Sequence, residues 1–268
     1  MKKTVLVLIT FALVIAVAGS GFWLVHYFID SREQRQTYET LAEKFVLEST
    51  PTPESTTPAE NSSPTENSSE TAQTVSLTTA LPRHDLAALA AENPDCAGWI
   101  TIPDTGIDYP VMHTPDDPEH YLRRDFYGES ASGGTPFLDG RNLAEAENQN
   151  LILYGHNMMD GSMFKPLISY LEPSFRETHK EIYLELSEKQ YRYELVTILE
   201  TNTQCSLYQY TDLSDPATES DFRAAILKET DLEGVHQAPG YLTLSTCNNG
   251  GGNSRVLVIA ALAGEVSA

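Results

Sequence analysis

A cysteine and an arginine eight residues apart have side chains that could do chemistry together. Cys247 ends a run, 241–246, in which apolar and hydroxyl residues alternate as in a half-buried strand, and Arg255 precedes a second β-type run, 256–261. Gly and Asn residues at 248–253 accept backbone angles that break a strand. The pattern predicts a hairpin that sets a thiol beside a guanidinium, and a fixed positive charge favours the nucleophilic thiolate. A lone cysteine is more commonly a small buried hydrophobe, so this interpretation needs support from the rest of the chain.

A histidine in a similar position gives that support. The apolar run 150–154 leads into Gly155 and His156, so His156 stands just past a strand end, as Cys247 does. Two strand ends at one rim of a barrel would bring an imidazole to a thiol, and Arg255 would be the third member. The alternative is a structural histidine whose nitrogens are satisfied by hydrogen bonds.

The rest of the globular part contains many short strand-like runs and few helices. The runs are 98–103, 107–112, 135–139, 150–154, 181–186 and 191–198, of which the last two form the arms of a hairpin. Helices are predicted over 84–91, around 163–170 and around 220–228. Short strands separated by turn signals favour a mainly β fold, either a closed barrel or a sandwich.

The N-terminal part predicts a membrane anchor. Residues 4–29 contain no Asp, Glu, Lys or Arg. A helix formed by this segment is long enough to cross a hydrocarbon core of about 30 Å. Because basic residues precede the apolar run, we expect the N-terminus to stay in the cytoplasm and the remainder of the chain to lie outside. Residues 1–29 are therefore predicted to be a cytoplasmic start and a transmembrane signal-anchor. A cleaved signal peptide is the alternative, because Ala16-Val17-Ala18 resembles a cleavage site, but the apolar run continues beyond it.

Two further segments precede the globular domain. Residues 30–48 are polar and rich in helix formers, so they predict a helical stalk. Residues 49–80 are rich in Ser, Thr, Pro and Glu and predict a disordered linker that acts as a tether. Residues 81–268 then form the extracellular domain.

Composition excludes several function classes. The 268 residues carry a net charge of -21, which argues against nucleic acid as a partner, since phosphates need stripes of Lys and Arg. The hydrophobic fraction of 41% suffices for a sizeable core. Cys96, Cys205 and Cys247 are too few and too dispersed for a disulfide framework, and the first two read as structural or incidental. We find no zinc-ligand spacing and no dinucleotide or phosphate-loop fingerprint, so no metal and no cofactor are expected.

These residues resemble a known family. Thr243-Leu244-Ser245-Thr246-Cys247, the eight-residue step to Arg255, and Tyr154-Gly155-His156-Asn157-Met158 are similar to the motifs of sortases. A likeness to class B in particular rests on Gly98-Trp99-Ile100, Tyr109-Pro110-Val111, Phe137-Leu138-Asp139 and the helix-bearing insertion 201–239. The resemblance covers roughly residues 93–265. It implies a closed eight-stranded sortase-type β-barrel with a few peripheral helices, and a cysteine transpeptidase on the outer face of a Gram-positive membrane.

The resemblance also implies roles for individual residues. Cys247 is expected to be the nucleophile, His156 the general acid and base, and Arg255 the group that stabilises the oxyanion and helps to position the peptide. The expected substrate contacts are Ser245, Thr246, Asn157 and Asp117. At Asp117 this chain carries a carboxylate where relatives often have an asparagine, which leaves the peptide contacts there open.

The implied partners are the sorting-signal peptides of surface proteins, of the Asn-Pro-x-Thr-Asn type, and an amine of cell-wall peptidoglycan. A pilin-polymerising sortase, which uses a pilin lysine as acceptor, remains an alternative. So does a membrane-tethered binding domain that lacks catalytic activity. In each case we expect a single-pass protein of the cell membrane.

Overall fold

The computed structural model describes residues 2–47, 81–230, 232, 234–248 and 252–266. The predicted linker, residues 49–80, lies outside the described residues, as do residues 249–251 of the predicted hairpin turn.

Eight strands close into a β-barrel, which confirms the predicted fold class. The barrel order is β10-β8-β7-β3-β4-β5-β6-β9. The strands are β1 Val46–Leu47, β2 Arg83–His84, β3 Cys96–Ile102, β4 Ile107–Met112, β5 Phe137–Leu138, β6 Asn150–Tyr154, β7 Glu181–Leu186, β8 Lys189–Asn202, β9 Tyr241–Cys247 and β10 Ser254–Glu265. The α-helices are α1 Lys2–Phe45, α2 Leu86–Glu92, α3 Pro173–Thr178 and α4 Pro216–Glu229, and short 3₁₀ helices span His120–Arg123, Lys165–Leu171 and Ser206–Gln209.

Strand direction brings three strand termini to one end of the barrel. β6 pairs with β9 in parallel, with Tyr154 opposite Ser245. β9 pairs with β10 in antiparallel fashion, with Cys247 opposite Arg255. The carboxyl ends of β6 and β9 and the amino end of β10 therefore meet at the same rim.

The expectation that β9 is half-buried is wrong. Every residue from Tyr241 to Thr246 is buried. Leu242 and Leu244 belong to the main core, whereas Tyr241 packs in a second apolar cluster with Phe222 of α4. The segment between β8 and β9 thus covers the outer face of β9. The residues that alternate along β9 therefore face two buried regions, and neither face is exposed to solvent.

The helix predicted around 163–170 begins later than expected and has a tighter form. Met163 has a φ of 56°, in the left-handed region, and therefore cannot continue a right-handed helix. A 3₁₀ helix follows over Lys165–Leu171, with Pro166 at its start, where the missing N–H of proline is tolerated.

Helix α1 runs without a break through both the predicted anchor and the predicted stalk. Its large apolar side chains between Val5 and Ile29 are exposed, and among the described residues it is the one helix long and apolar enough to cross a membrane. Beyond this segment Tyr38, Leu41 and Phe45 are buried against the barrel. The helix leads into β1, which pairs with β2 so that Leu47 lies opposite Arg83.

Candidate active site

The hairpin of β9 and β10 places the thiol and the guanidinium side by side. Cys247 and Arg255 are directly opposite each other in the register of the two strands. Arg255 Nη1 donates hydrogen bonds to the carbonyl oxygens of Gly252, at 3.1 Å, and Ser254, at 2.9 Å. The guanidinium is therefore held by backbone carbonyls at and just before the start of its own strand, and Arg255 lines the same cavity as Cys247.

His156 reaches that cavity from the end of β6. Its carbonyl accepts a hydrogen bond from Phe164 N at 2.8 Å, and Gly155 N donates to Ser245 O on β9 at 3.1 Å. Gly155 cannot be replaced without a shift, because a Cβ there would lie 2.5 Å from the ring of Phe164. Backbone contacts on both sides thus fix the turn that carries the imidazole.

One nitrogen of His156 has a fixed partner. Nε2 lies 2.8 Å from the carbonyl oxygen of Leu122. Since a carbonyl oxygen only accepts, Nε2 carries a proton, and Nδ1 is the nitrogen free to take up or release one. This arrangement suits proton transfer at a single defined atom.

The surroundings lower the pKa of His156. Burial is the largest cause, because it disfavours the charged imidazolium. The Leu122 carbonyl opposes this effect, while the positive charges of Arg123 and Arg255 lower the pKa further. The imidazole is therefore neutral at pH 7.

The three side chains line one cavity of about 430 Å³ at the barrel rim. Its wall is formed by Pro118, Glu119, Leu122, Phe137, Asp139, Gly140, Tyr154, Gly155, His156, Thr203, Tyr208, Ser245, Thr246, Cys247 and Arg255. Apolar and aromatic side chains share the wall with polar and charged ones, a combination that is typical of a ligand site.

Tyr208 is a cavity residue that the sequence did not reveal. Its hydroxyl lies 2.8 Å from Ser245 Oγ, and its ring stacks on Tyr154 with the centroids 6.1 Å apart. Burial raises the pKa of Tyr208, so its hydroxyl keeps its proton. Tyr208 lies in the segment between β8 and β9. In the sequence this segment could be recognised as a helix-bearing insertion, but no motif singled out Tyr208.

A buried carboxylate supports the aromatic wall. Asp139 accepts from Arg141 Nη2 at 2.7 Å and from Tyr154 Oη at 2.9 Å. Burial alone would raise the pKa of Asp139, but the hydrogen bonds from Arg141 and Tyr154 outweigh it and lower the pKa. Asp139 therefore stays ionised and fixes the orientation of the Tyr154 ring.

Two of the four predicted substrate contacts line the cavity and two do not. Ser245 and Thr246 line the cavity, and Thr246 Oγ1 donates to the carbonyl of Gly155 at 2.8 Å. Asn157 lies outside the cavity wall, and its Nδ2 donates to the Cys247 carbonyl at 2.8 Å. Asp117 is exposed and lies 3.1 Å from His120 Nδ1, while its neighbours Pro118 and Glu119 line the cavity.

The two remaining cysteines are buried away from the cavity. Burial raises the pKa of Cys96 to about 12, so that side chain remains a thiol. Within the described residues no group of three or more His, Cys, Asp and Glu side chains could hold a metal ion.

Comparison with known proteins finds relatives of this chain in both sequence and structure. The Sortase domain family matches residues 100–263. Sortase B of Listeria monocytogenes is 34% identical over 169 residues, which cover 62% of this chain and 68% of the relative. Sortase B of Staphylococcus aureus is 28% identical over 267 residues and 96% of each chain.

Solved structures agree with the sequence comparison. The Staphylococcus aureus sortase B–substrate complex has a TM-score of 0.60 at 29% identity, covering 68% of this chain and 85% of that one. Sortase B from Bacillus anthracis in complex with AAEK1 has a TM-score of 0.62 at 27% identity, covering 88% of this chain and 98% of that one.

Proposed function

The chain belongs to the sortase family as a class B cysteine transpeptidase, and we propose that it cleaves C-terminal sorting signals through a thioester on Cys247. The observation that supports this most strongly is the convergence of Cys247, His156 and Arg255 from three strand ends on one cavity. Each side chain has the chemistry that one part of an acyl transfer needs.

The first half of the reaction forms the thioester. The Cys247 sulfur attacks the carbonyl carbon of the scissile peptide bond, and its proton passes to Nδ1 of His156. The C–S bond forms, the C–N bond then breaks, and the leaving amine takes the proton from His156. Cysteine suits this step because the thiolate is a strong nucleophile and leaves an intermediate reactive enough for a second transfer.

The second half reverses these roles. An acceptor amine attacks the thioester carbonyl and gives a proton to His156. The new C–N bond forms as the C–S bond breaks, and the sulfur recovers its proton. In both halves the negative charge that develops on the carbonyl oxygen needs a fixed donor, and the always-charged guanidinium of Arg255 supplies one.

The cavity wall supports a peptide as the substrate. The aromatic rings of Tyr154 and Tyr208 offer flat apolar contact, and the hydroxyls of Ser245 and Thr246 lie next to the cysteine in β9. We propose an Asn-Pro-x-Thr-Asn type signal, cut after the threonine, with an amine of cell-wall peptidoglycan as acceptor. The solved structure of the Staphylococcus aureus relative is a sortase B–substrate complex, which supports the binding of a substrate by this fold.

The location of the enzyme follows from α1. We propose that the exposed apolar part of α1, from Val5 to Ile29, crosses the cell membrane once. The basic residues before it keep the N-terminus inside, so the barrel lies on the outer face, where cell-wall acceptors are found.

A peptide-and-amine assay tests the proposal. The full chain in detergent is incubated with Asn-Pro-x-Thr-Asn peptides and, in separate reactions, a peptidoglycan-type amine or a peptide with a pilin-type lysine. Cleavage with transfer to the peptidoglycan-type amine is expected, and Cys247→Ala is the matched control. Cleavage that persists in Cys247→Ala would contradict the proposed nucleophile, and preferred transfer to the lysine peptide would favour pilus assembly.

A further inference from the structure

Helix α1 contacts the loop that directly follows His156, here called the 157–163 loop. The centre of this contact is the carboxylate of Asp160. It accepts a hydrogen bond from Ser31 Oγ of α1 and forms an ion pair with Arg35 Nη2 at 3.5 Å. Arg35 Nη2 also donates to the Asp160 carbonyl at 3.2 Å. Two side chains one helical turn apart thus hold a single residue of the loop.

Within the loop the same carboxylate organises the backbone. Asp160 Oδ1 accepts from Ser162 N at 3.1 Å and from Ser162 Oγ at 2.7 Å. Burial by itself would raise the pKa of Asp160, but the hydrogen bonds from Ser31 and Ser162 and the charge of Arg35 outweigh it and lower the pKa. The carboxylate is therefore ionised at neutral pH and accepts all of these bonds at once.

Aromatic residues of α1 make a second set of contacts with the loop. Tyr27 Oη accepts from Met159 N at 3.1 Å. Tyr38 packs edge-on against Tyr109 at 5.4 Å, and Tyr109 Oη accepts from Met163 N at 3.2 Å. Met163 is held at a φ of 56°, a conformation that persists only where surrounding contacts fix it.

The other side of the loop touches the active site. Asn157 and Met163 form a bridge that closes the loop, and Asn157 Nδ2 donates to the Cys247 carbonyl at 2.8 Å. Phe164 N, the next residue, donates to the His156 carbonyl at 2.8 Å. Hydrogen bonds and the covalent backbone from Ser162 to Phe164 together therefore connect α1, through Asp160, to the backbone of both His156 and Cys247.

We propose that α1 positions the active site as well as anchoring the chain, and that Asp160 is the positioning residue through which it acts. The inference rests on the proposed roles of His156 and Cys247. In the docked state the 157–163 loop is ordered, and it holds the imidazole and the sulfur in reacting geometry. When α1 detaches, the loop loses its contacts with Ser31, Arg35 and Tyr27, and the reacting groups lose alignment.

Chain connectivity leaves the docking of α1 to its non-covalent contacts with the barrel, which also include the buried Tyr38, Leu41 and Phe45. The covalent path from α1 to the barrel passes through residues 48–80, and its two ends meet in the ladder where Leu47 lies opposite Arg83. Whatever conformation that segment adopts, it does not set the distance between the barrel and the membrane. That distance is set by the docked helix, so the barrel is held close to the membrane surface.

The test compares two ion pairs of the same helix. In the full chain in detergent, Arg35→Gln removes the charge that faces Asp160, and Asp160→Asn removes the carboxylate. Lys44→Gln is the matched control, since Lys44 pairs with Glu92 near the end of α1 away from the loop.

We expect kcat for peptide cleavage to fall about 10- to 100-fold in Arg35→Gln and Asp160→Asn, because small misplacements of reacting groups have effects of this size. The KM and the melting temperature should change little, and Arg35→Lys should recover most of kcat.

The outcomes separate this inference from the proposed function. If the wild-type chain forms no thioester on Cys247, the proposed function fails. If the wild type forms it and Arg35→Gln forms it equally fast, only the positioning role fails. A loss of rate that is equal in Arg35→Gln and Lys44→Gln, or that follows a lowered melting temperature, would also overturn the inference. Should Asp160→Asn fail to fold, Ser31→Ala replaces it, because Ser31 lies on α1 outside the barrel.

A cut between the helix and the barrel gives an independent test. A protease site is inserted within residues 55–65 of the full chain, which is reconstituted in nanodiscs and then cleaved. We expect the cleaved barrel to remain with the nanodisc, because Tyr38, Leu41 and Phe45 are buried against it and β1 pairs with β2, and to keep its turnover rate. The cleaved Asp160→Asn barrel should also remain, but with the lowered kcat of the uncleaved variant. Release of the wild-type barrel with unchanged turnover would contradict the inference.

Discussion

Two regions of the molecule each hold a histidine, one partly buried at the barrel rim and one buried against the barrel wall, and their surroundings suit different tasks. At the rim, His156 binds the neutral carbonyl of Leu122 and opens onto a cavity. Against β7, which lies opposite β6 in the barrel order, His84 of β2 bonds Glu185 at 2.8 Å and stacks on Trp99 at 4.0 Å, and its side chain is only 2% exposed. The first histidine keeps one nitrogen available and lies near cations, whereas the second is enclosed between a carboxylate and an indole.

The comparison shows that the surroundings, more than the residue type, decide between chemistry and structure. The cysteines follow the same rule. Cys247 is partly exposed at a strand end beside Arg255, whereas Cys96 is enclosed at the start of β3 and burial raises its pKa to about 12. Matched substitutions in the two regions should therefore change activity in one and stability in the other.

The largest effect is expected from the cysteines. Cys247→Ala should lower transpeptidation by at least about 10³-fold, because loss of a nucleophile removes the covalent route entirely. Cys96→Ala should leave the rate unchanged and lower the melting temperature slightly, since it removes a small buried side chain. Rates and thermal unfolding of the two variants, measured side by side, check this. A comparable loss of rate in both would contradict the division.

The histidines should separate in the same way. His156→Ala should lower the rate by about 10²- to 10⁴-fold, the usual contribution of a general acid–base, with little change in stability. His84→Ala should remove the side-chain bond to the buried Glu185, which keeps the backbone N–H of residue 84, and cost about 2 kcal/mol of unfolding free energy, while the folded protein stays active. Denaturant unfolding and initial rates provide the two readouts. An inactive but fully stable His84→Ala chain would be incompatible with a structural role for His84.

Arg255→Lys tests whether the shape of the cation matters as well as its charge. The ammonium of lysine lacks the planar fork, so it cannot contact its neighbours and a substrate oxygen in the same geometry. We expect a loss of rate of about 10²-fold, comparable to the removal of an oxyanion donor. Measurement of kcat/KM with one peptide and one amine suffices. Near-normal turnover would show that a positive charge alone is enough.

The smallest effect concerns pH. Because the pKa of His156 is lowered, the imidazole stays neutral to a lower pH than an ordinary histidine, whose pKa is 6.5. Activity should therefore be retained at pH 6.5 and lost as the pH falls through the lowered value. Arg123→Gln removes one of the charges that lower this pKa, so the acid limb of the kcat/KM profile should move to higher pH. Lys44→Gln, at a distance from the site, should leave the limb in place.

The sequence predicted the convergence of Cys247, His156 and Arg255 because local pattern determines where strands end. Cys247 and Arg255 could be paired from a single hairpin, and His156 from one apolar strand followed by a turn. Closure of the barrel then brings them together through the parallel pairing of β6 with β9, a pairing that the sequence pattern did not specify.

Other features depend on contacts that pattern does not encode. Tyr208 reaches Ser245 only because the segment before β9 folds back over that strand, and this also explains why the alternating run is buried on both faces. The docking of α1 could not be predicted either, since Ser31 and Arg35 read as ordinary polar residues of a stalk. Their partner Asp160 lies more than a hundred residues away in the sequence.

The most direct test of the central claim is mass spectrometry of the chain trapped with an Asn-Pro-x-Thr-Asn type peptide in the absence of acceptor amine. We predict an acyl adduct on Cys247 that ends in the threonine residue, that disappears when amine is added, and that Cys96 and Cys205 do not carry. Cleavage of the peptide without any adduct on Cys247, or an adduct on another residue, would contradict the account.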